Sequence, residues 1–227
     1  MQKRIKEFLL ENGAGQVGFC RLEQDNPFNM PYAVSFAVPL SEAIINGIGT
    51  EPTHTYFHHY RTVNALIDNL ALRAGLILGK EGYNFVPIAA SQSVNGLQGI
   101  FSHKYAAYLS GLGFVGKSGL FISSEFGPRI RLGTILTDYP FVCENEIQES
   151  KCGECRLCAN ACPAMAISGN AWRPGDDRDV IIDAKACSDY MKKEFQHIGR
   201  GVVCGICMRI CPFRGGENRT DRKRQVF

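Results

Sequence analysis

The stretch KCGECRLCANACP, residues 151–163, spaces four cysteines by two, two and three residues and sets a proline directly after the last. A second run, CGICMRICP at residues 204–212, repeats the final three of these positions and the proline. Two-residue spacing lets consecutive thiolates point from one tight loop toward one centre, and the full pattern is typical of bacterial [4Fe-4S] clusters. The two runs therefore predict two cubane clusters in the last third of the chain.

The spacing also predicts which thiolates share a cluster. In two-cluster ferredoxins the fourth cysteine of a run ligates the other cluster, because a helical turn carries it away from its own loop. The second run lacks a nearby first cysteine, and Cys187 is the one candidate left in that region. We assign the first cluster to Cys152, Cys155, Cys158 and Cys211. The second cluster then takes Cys162, Cys187, Cys204 and Cys207.

Zinc is the main alternative occupant, because four-cysteine zinc sites also use two-residue spacing. Such sites pair two short steps that lie far apart, whereas here three steps and a proline follow one another, which favours clusters. A disulfide framework is disfavoured because the N-terminal residues MQKRIK resemble neither a secretory signal nor a twin-arginine leader. Cys20 lies in an apolar stretch and is expected to be a buried small hydrophobe. We assign no role to Cys143.

Composition and charge narrow the class of protein further. With 45% hydrophobic residues among 227, the chain can hold one substantial core beside a small cluster-stapled domain. No apolar stretch approaches the roughly 20 residues of a membrane span, so we expect a cytoplasmic protein with no membrane partner. The formal net charge of +3 falls to about −1 when two oxidised cubanes are bound, which removes the general argument for nucleic-acid binding. A nucleic-acid-sensing module that uses the basic tail at residues 217–227 stays open as a minor alternative.

Hydrophobic periodicity divides the chain into two parts. Apolar residues at helical spacing predict helices at residues 2–11, 53–80 and 102–110. Alternating or continuous apolar residues predict strands at residues 14–22, 32–40, 83–90, 119–123 and 130–137. Because strands and helices do not alternate strictly, we predict an α+β fold, a layered sheet-and-helix domain over residues 1–145. A ferredoxin-like double-cluster domain follows at 146–216, with a surface loop inserted at 169–183.

A glycine-rich stretch at residues 110–120, SGLGFVGKSGL, follows the last predicted helix. Alone it indicates little more than a helix end, since no strand directly precedes it as a nucleotide-binding fingerprint requires. Together with FGPR at 126–129, LGTILTD at 132–138 and both cysteine runs in order, it resembles the epoxyqueuosine reductases and the related reductive-dehalogenase-like iron–sulfur proteins. The resemblance covers residues 53–213.

This resemblance implies a cobalamin-dependent reductase, in which two [4Fe-4S] clusters deliver electrons singly to a base-off cobamide held by the N-terminal domain. In that family the epoxide of a queuosine precursor in tRNA is reduced to the alkene. The cofactor supplies the chemistry, and the protein supplies burial, orientation and redox tuning. The residues that match the family's corrinoid region are Gly111, Gly113, Gly116 and Lys117. Ser91, Gln92 and Ser93, which end a predicted strand, are further candidates for polar contacts to the cofactor.

The chain departs from the family pattern at the catalytic acid. The family has an aspartate in an Asp-Tyr-His step at the start of the long helix, and ungapped alignment from His59 puts Phe57 at that position. His58 and His59 are the candidate proton donors in its place, because imidazole titrates near neutrality; surface histidines of the helix are the alternative. The family enzymes that bind tRNA continue into a helical repeat domain after the clusters, whereas this sequence ends at Phe227.

Two functions therefore stay open from the sequence. The first is a cobalamin-dependent iron–sulfur reductase that acts on a small molecule or modified nucleoside, without a dedicated tRNA domain, and is reduced by a ferredoxin or flavodoxin. Its cavity would face the nearer cluster and be lined by His59, by Ser91 to Ser93 and by residues 113–117. The second is a ferredoxin-like electron-transfer protein that reduces a partner enzyme and binds no corrinoid.

Overall fold

An antiparallel sheet of four strands forms the centre of the N-terminal part. The computed structural model describes residues 1–23, 25–94 and 96–214, so the predicted basic tail lies outside the described residues. The strand order is β1-β2-β6-β3, with β1 at Gln16–Arg21, β2 at Tyr32–Pro39, β3 at Phe85–Ile88 and β6 at Ile130–Thr137. β6 is central, and its register with β2 pairs Tyr32 with Thr137 and Pro39 with Ile130. Both of these strands are buried almost throughout, as their continuous apolar sequences predict.

The longest helix, α3 at His54–Lys80, lies against this sheet. It begins where the Thr53 hydroxyl accepts a hydrogen bond from the Tyr56 backbone N–H at 3.0 Å, an N-cap. Its buried stripe follows helical spacing and includes Val63, Ile67, Leu70, Ala74 and Leu78. Gly75 brings helix and sheet closest, because a Cβ there would lie 2.2 Å from the Phe85 ring.

Three further helices and a hairpin complete the N-terminal part. α1, at Gln2–Glu11, buries Ile5 and Leu9 against α3 and β1. α2 is the short helix Glu42–Asn46, and α4, at His103–Leu109, packs on the sheet through two buried alanines. The hairpin consists of β4 at Gly113–Val115 and β5 at Phe121–Ser123.

The cysteine-rich part has little regular structure of its own. It contains α5 at Leu157–Asn160, a 3-10 turn at Arg178–Val180, α6 at Ala184–Glu194 and α7 at Ile206–Ile210. Neither α5 nor α6 has a buried residue, whereas α7 buries Ile206 and Met208 in the core of the N-terminal part. Since a segment with so small a core cannot offset its conformational entropy alone, metal binding has to supply much of its folding free energy.

Arg129 joins the two parts of the molecule. Its side chain is 1% exposed, pairs with Glu42 and donates to the Asn46 side chain at 3.0 Å and the Arg209 carbonyl at 3.5 Å. The guanidinium therefore ties α2 of the N-terminal part to α7 of the cysteine-rich part.

The predicted α+β fold class is confirmed, with every predicted helix and strand present near its expected position. The strand predicted at 83–90 is shorter, at Phe85–Ile88, and α2 and β4 were not predicted. The predicted surface loop at 169–183 instead holds the 3-10 turn and packs Trp172 edge-on against Tyr108, with ring centroids 5.4 Å apart. Residues 140–150 lack regular structure, and the domain boundary near 145 stays a prediction. In the part of the chain that the structure describes, no helix is long and apolar enough to cross a bilayer.

Candidate functional site

The thiols of the cysteine runs fall into two groups by proximity. Burial raises the pKa of Cys211 to about 11, and the neighbouring thiols of Cys152, Cys158 and Cys155 raise it as well. Burial likewise raises the pKa of Cys204 to about 11, with added contributions from the thiols of Cys187 and Cys162. The pKa of Cys207 is raised by burial and then by the thiols of Cys204, Cys187, Cys162 and Cys158. The neighbours of Cys211 and Cys204 belong to their own predicted ligand sets, whereas Cys207 also lies near Cys158 of the other set.

These raised pKa values have a consequence for metal loading. A thiol, unlike a thiolate, does not ligate iron, so each of these groups must lose its proton when a cluster binds. Cysteine thiolates are the ordinary ligands of [4Fe-4S] clusters, and eight of them in two groups of four fit two cubanes. A zinc site would instead bring four thiolates to one ion. Among residues 1–23, 25–94 and 96–214, no three or more Cys, His, Asp or Glu side chains gather closely enough to hold a single ion.

The first group of cysteines lines a small hollow with part of the glycine-rich stretch. Cys152, Cys155, Cys158 and Cys211 share this hollow with Gly116, Lys117 and Phe213. A Cβ on Gly116 would lie 3.6 Å from the Cys152 sulfur and 2.9 Å from Ile122, so glycine leaves room there for the cluster loop. Lys117 donates to the Gly153 carbonyl at 2.6 Å, inside the same loop. Gly116 and Lys117, assigned by resemblance to the corrinoid, thus lie beside the first cluster's cysteines.

The other two glycines assigned to the corrinoid lie close to backbone atoms of neighbouring segments. A Cβ on Gly113 would come within 2.0 Å of the Ile122 carbonyl oxygen, so glycine permits the close pairing of β4 with β5. Gly111 has φ of +67° and approaches the Glu146 carbonyl, at the connection between the two parts of the chain. Neither glycine lines a cavity described below.

A cavity of about 600 Å³ lies between the sheet and the cysteine-rich part. Ser91, Gln92 and Ser93 line it, as predicted, together with residues of α4, β5 and β6. Its apolar wall includes Phe121, Ile130, Leu132 and Met208. Met208, which follows Cys207 directly in the sequence and is 5% exposed, brings the second cysteine run to the wall of this cavity.

Basic side chains supply the charge of this cavity. Lys104, Arg131, Arg178 and His103 line it, and none of the described residues in its lining is Asp or Glu. Burial lowers the pKa of Lys104, and the nearby Arg178 guanidinium lowers it further. Burial also lowers the pKa of His103, with Arg131 acting in the same direction. The cavity therefore combines positive charge with restricted contact to water.

Both ring nitrogens of His103 have hydrogen-bond partners. Its Nε2 lies 3.0 Å from the Ala89 carbonyl, which only accepts, so this nitrogen carries the proton. Its Nδ1 lies 2.8 Å from the Thr134 hydroxyl and can accept from it. The sequence analysis did not select His103 as a site residue, although it lies in the helix that precedes the glycine-rich stretch, directly before Lys104.

The histidines proposed as proton donors lie elsewhere. His59 Nε2 accepts a hydrogen bond from the Ser41 backbone N–H at 3.0 Å, and His58 is exposed. Burial lowers the pKa of His59, and the adjacent His58 lowers it further. Phe57, at the position of the family's acid, packs against Gly199, where a Cβ would lie 2.2 Å from the ring. The structure thus brings Ser91 to Ser93 to the cavity and leaves His58 and His59 outside it.

A second cavity of about 420 Å³ adjoins the first. The two share the wall made by Gly99, Ile100, Phe101, Ser102, Lys104 and Arg178. Tyr105 and Trp172 supply aromatic surface to the second cavity, and Asp25 and Asp176 lie at its rim.

Comparison with known proteins supports both parts of this description. Residues 151–214 match the 4Fe-4S double cluster binding domain. The epoxyqueuosine reductase of Staphylococcus aureus (strain NCTC 8325 / PS 47) is 31% identical over 122 residues, which cover 53% of this chain and 31% of that protein. The chain thus spans less than a third of the length of that relative. The resemblance indicated by the sequence motifs is confirmed, and the cysteine runs form an iron–sulfur domain.

Solved structures share the fold. The epoxyqueuosine reductase from Streptococcus thermophilus matches with a TM-score of 0.58 at 19% identity, over 95% of this chain and 68% of that chain. A reductive dehalogenase whose structure suggests a mechanism for B12-dependent dehalogenation matches with a TM-score of 0.76 at 20% identity, over 95% of this chain and 32% of that chain. At these identities the likeness concerns the fold.

Proposed function

We propose that this relative of the epoxyqueuosine reductases is an iron–sulfur oxidoreductase that reduces an acceptor bound in the 600 Å³ cavity. The acceptor is a cobalamin-type cofactor or the substrate itself. The observation that carries the proposal is the position of Met208, which follows a ligand of the second cluster and lines the cavity wall. When bound, [4Fe-4S] clusters accept and donate single electrons, and the short link through α7 places such a donor beside the cavity.

The first cluster's surroundings support its role as the entry point for electrons. Leu157, within that loop, is 46% exposed, and the neighbouring Lys151 and Arg156 are exposed. A small apolar spot flanked by two basic residues and one acidic residue, the exposed Glu154, suits transient contact with a carrier of the ferredoxin or flavodoxin type.

A corrinoid fits the described residues only if it occupies both cavities. Pockets for drug-sized ligands measure about 300–1,000 Å³, and a corrinoid is larger than such ligands, whereas the two cavities are about 600 and 420 Å³ with a shared wall. Ser91, Gln92 and Ser93 would hold polar substituents at one end, and Phe101, Tyr105 and Trp172 would contact the macrocycle at the other. When bound, it would supply a cobalt centre for the reduction. The residues that line the two cavities would exclude water from the corrinoid and set the electrostatic potential around it.

The substrate class is a small molecule or a modified nucleoside. The names of the relatives support a nucleoside, and the cavity volume admits one. His103 is the residue placed to hold a proton near the acceptor, since its neutral ring lines the cavity.

The second candidate function is an electron-transfer protein that binds no corrinoid and reduces a partner enzyme. Two observations favour it: the described lining of the cavity contains no carboxyl group, and the family's acid position is a phenylalanine packed elsewhere. A reductase of the epoxyqueuosine reductase type would need a proton donor other than a carboxyl group in this cavity.

Anaerobic reconstitution with iron and sulfide, followed by titration with cob(II)alamin, tests the proposal. We expect about eight iron per chain and a base-off absorbance change on titration. Full iron loading with no corrinoid binding at saturation, and no reduction of a nucleoside epoxide, would leave the electron-transfer function. Stoichiometric zinc in the protein purified without air would contradict both.

A further inference from the structure

Three cationic side chains line the 600 Å³ cavity without a carboxylate partner inside it. Lys104 donates to the Gly119 carbonyl at 2.8 Å, which uses one of its three N–H groups. Arg178 donates to the Leu97 carbonyl at 2.8 Å, and its remaining ion pair is with its exposed neighbour Asp179 at 3.5 Å. Within residues 1–23, 25–94 and 96–214, neither Lys104 nor Arg131 forms an ion pair.

Arg131 is held in one orientation by its surroundings. Its Nε donates to the Asn64 side chain at 2.9 Å, and one terminal nitrogen donates to the Ala90 carbonyl at 3.0 Å. The guanidinium lies over the Tyr60 ring, 4.3 Å from its centroid. A guanidinium fixed in this way keeps its remaining N–H groups available and loses little further entropy when a ligand binds.

An anion bound in this cavity would offset the repulsion between its cations, which have also lost part of their hydration. The nearest carboxylates in the cavity linings, Asp25 and Asp176, line the adjoining cavity and not this one. Lys104 and Arg178 are close enough to affect each other electrostatically, and both line the same cavity. Its other wall is apolar, through Phe121, Leu132 and Met208.

We propose that this cavity binds an oxyanion, a phosphate or carboxylate, carried by a partly apolar small molecule. Lys104, Arg131 and Arg178 hold the oxyanion, Ser91 and Ser93 add hydroxyl donors, and the apolar wall holds the rest of the molecule. The inference rests on the proposed function in one respect: it takes the bound molecule to be the substrate that is reduced.

The test is anaerobic isothermal titration calorimetry on the fully cluster-loaded protein with inorganic phosphate, phenyl phosphate and benzoate. We expect one binding site per chain, with phenyl phosphate or benzoate binding more tightly than the inorganic ion. The variants Lys104→Gln and Arg178→Gln each remove one charge, and we expect about tenfold weaker binding in each, since a charge-assisted hydrogen bond is lost. Arg131 is left intact because it also holds Asn64 and Ala90 in place. Lys3→Gln, which removes a charge that is 87% exposed on α1, is the matched control and keeps the wild-type affinity.

Each outcome decides the proposal. No binding of any probe at 10 mM by a protein with full iron content overturns it, even where cob(II)alamin binds and the proposed function stands. Equal affinities in Lys104→Gln, Arg178→Gln and the wild type overturn it as well. If anion binding is lost in both variants but cob(II)alamin competes with the anion, the site belongs to the corrinoid's own phosphate and the substrate assignment is wrong. If anion and cob(II)alamin bind together, or if cob(II)alamin does not bind while the variants still lose the anion, the assignment is supported.

Discussion

Gly205→Ala is expected to destabilise the second cluster, and Gly153→Ala provides a matched control. Each glycine is the second residue of a Cys-Gly-x-Cys step, in the second and first run respectively. Both have positive φ, +75° at Gly205 and +44° at Gly153. They differ in space: a Cβ on Gly205 would lie 2.7 Å from Tyr56 and 2.9 Å from Ile48, whereas nothing lies within 4 Å of one on Gly153.

The magnitude follows from this difference. An alanine in the left-handed region costs roughly 1–2 kcal/mol at either position. Overpacking a filled interior adds about 1–3 kcal/mol, and this contribution applies to Gly205 alone because Tyr56 and Ile48 are 2% and 1% exposed. The difference between the variants is therefore about 1–3 kcal/mol, or about five- to a hundredfold in the equilibrium that retains the cluster.

The assay is iron content per chain and the signal of the reduced clusters after a timed challenge with a chelator. We expect Gly153→Ala to keep both clusters nearly as well as the wild type does. Gly205→Ala should lose about half of its iron first, since two cubanes share the total equally. Equal iron loss from the two variants would refute the reasoning, because the close packing around Tyr56 would then have no effect on cluster retention.

Three further predictions address the ligands, the sheet and the cavity. Cys211→Ser should give the reduced-cluster spectrum of Cys155→Ser, because both thiols belong to the first cluster; a spectrum like that of Cys207→Ser would contradict the cross-tied assignment. Gly75→Ala should lower the free energy of unfolding by about 1–3 kcal/mol, since its Cβ would lie 2.2 Å from the Phe85 ring. Chemical unfolding measures this, with Gly49→Ala as the control, because Gly49 likewise lacks a positive φ but has nothing within 4 Å of an added Cβ. Full stability in Gly75→Ala would be inconsistent with the close packing. Burial lowers the pKa of His103 in the folded state. As the pH falls toward the unfolded-state pKa of about 6.5 and below it, the unfolded state therefore binds more protons than the folded state does, and the free energy of unfolding decreases. Thermal unfolding from pH 7.5 to 6 should therefore show a smaller decrease in His103→Gln than in the wild type, and parallel curves would refute the shift.

The sequence predicted the elements whose pattern is local. The apolar run of β6 and the helical spacing of α1 gave their observed bounds, Ile130–Thr137 and Gln2–Glu11. β4 was missed because it has three residues and begins with Gly113, and glycine ordinarily disfavours a strand. The cysteine grouping stays a prediction, because spacing indicates which thiols share a loop, whereas the exchange of Cys162 and Cys211 between clusters follows the pattern of two-cluster ferredoxins.

The cavity could not be predicted in the same way. Lys104, Arg131 and Arg178 lie on a helix, a central strand and a 3-10 turn, and only the packing of these elements brings their side chains to one wall. Resemblance placed Gly116 and Lys117 at the corrinoid, whereas they lie beside the first cluster's cysteines. Their assignment to the corrinoid stays a prediction, because their position beside these cysteines does not test it.

Met208 makes the cavity dependent on the metal content of the protein. This side chain belongs both to α7, which lies in the second cysteine run, and to the core of the N-terminal part. A chain that has lost iron from that run would lose the order of α7 and, with it, one wall of the cavity. Ligand affinity would then measure iron occupancy, and a cell short of iron would contain this protein in a form that does not capture its substrate.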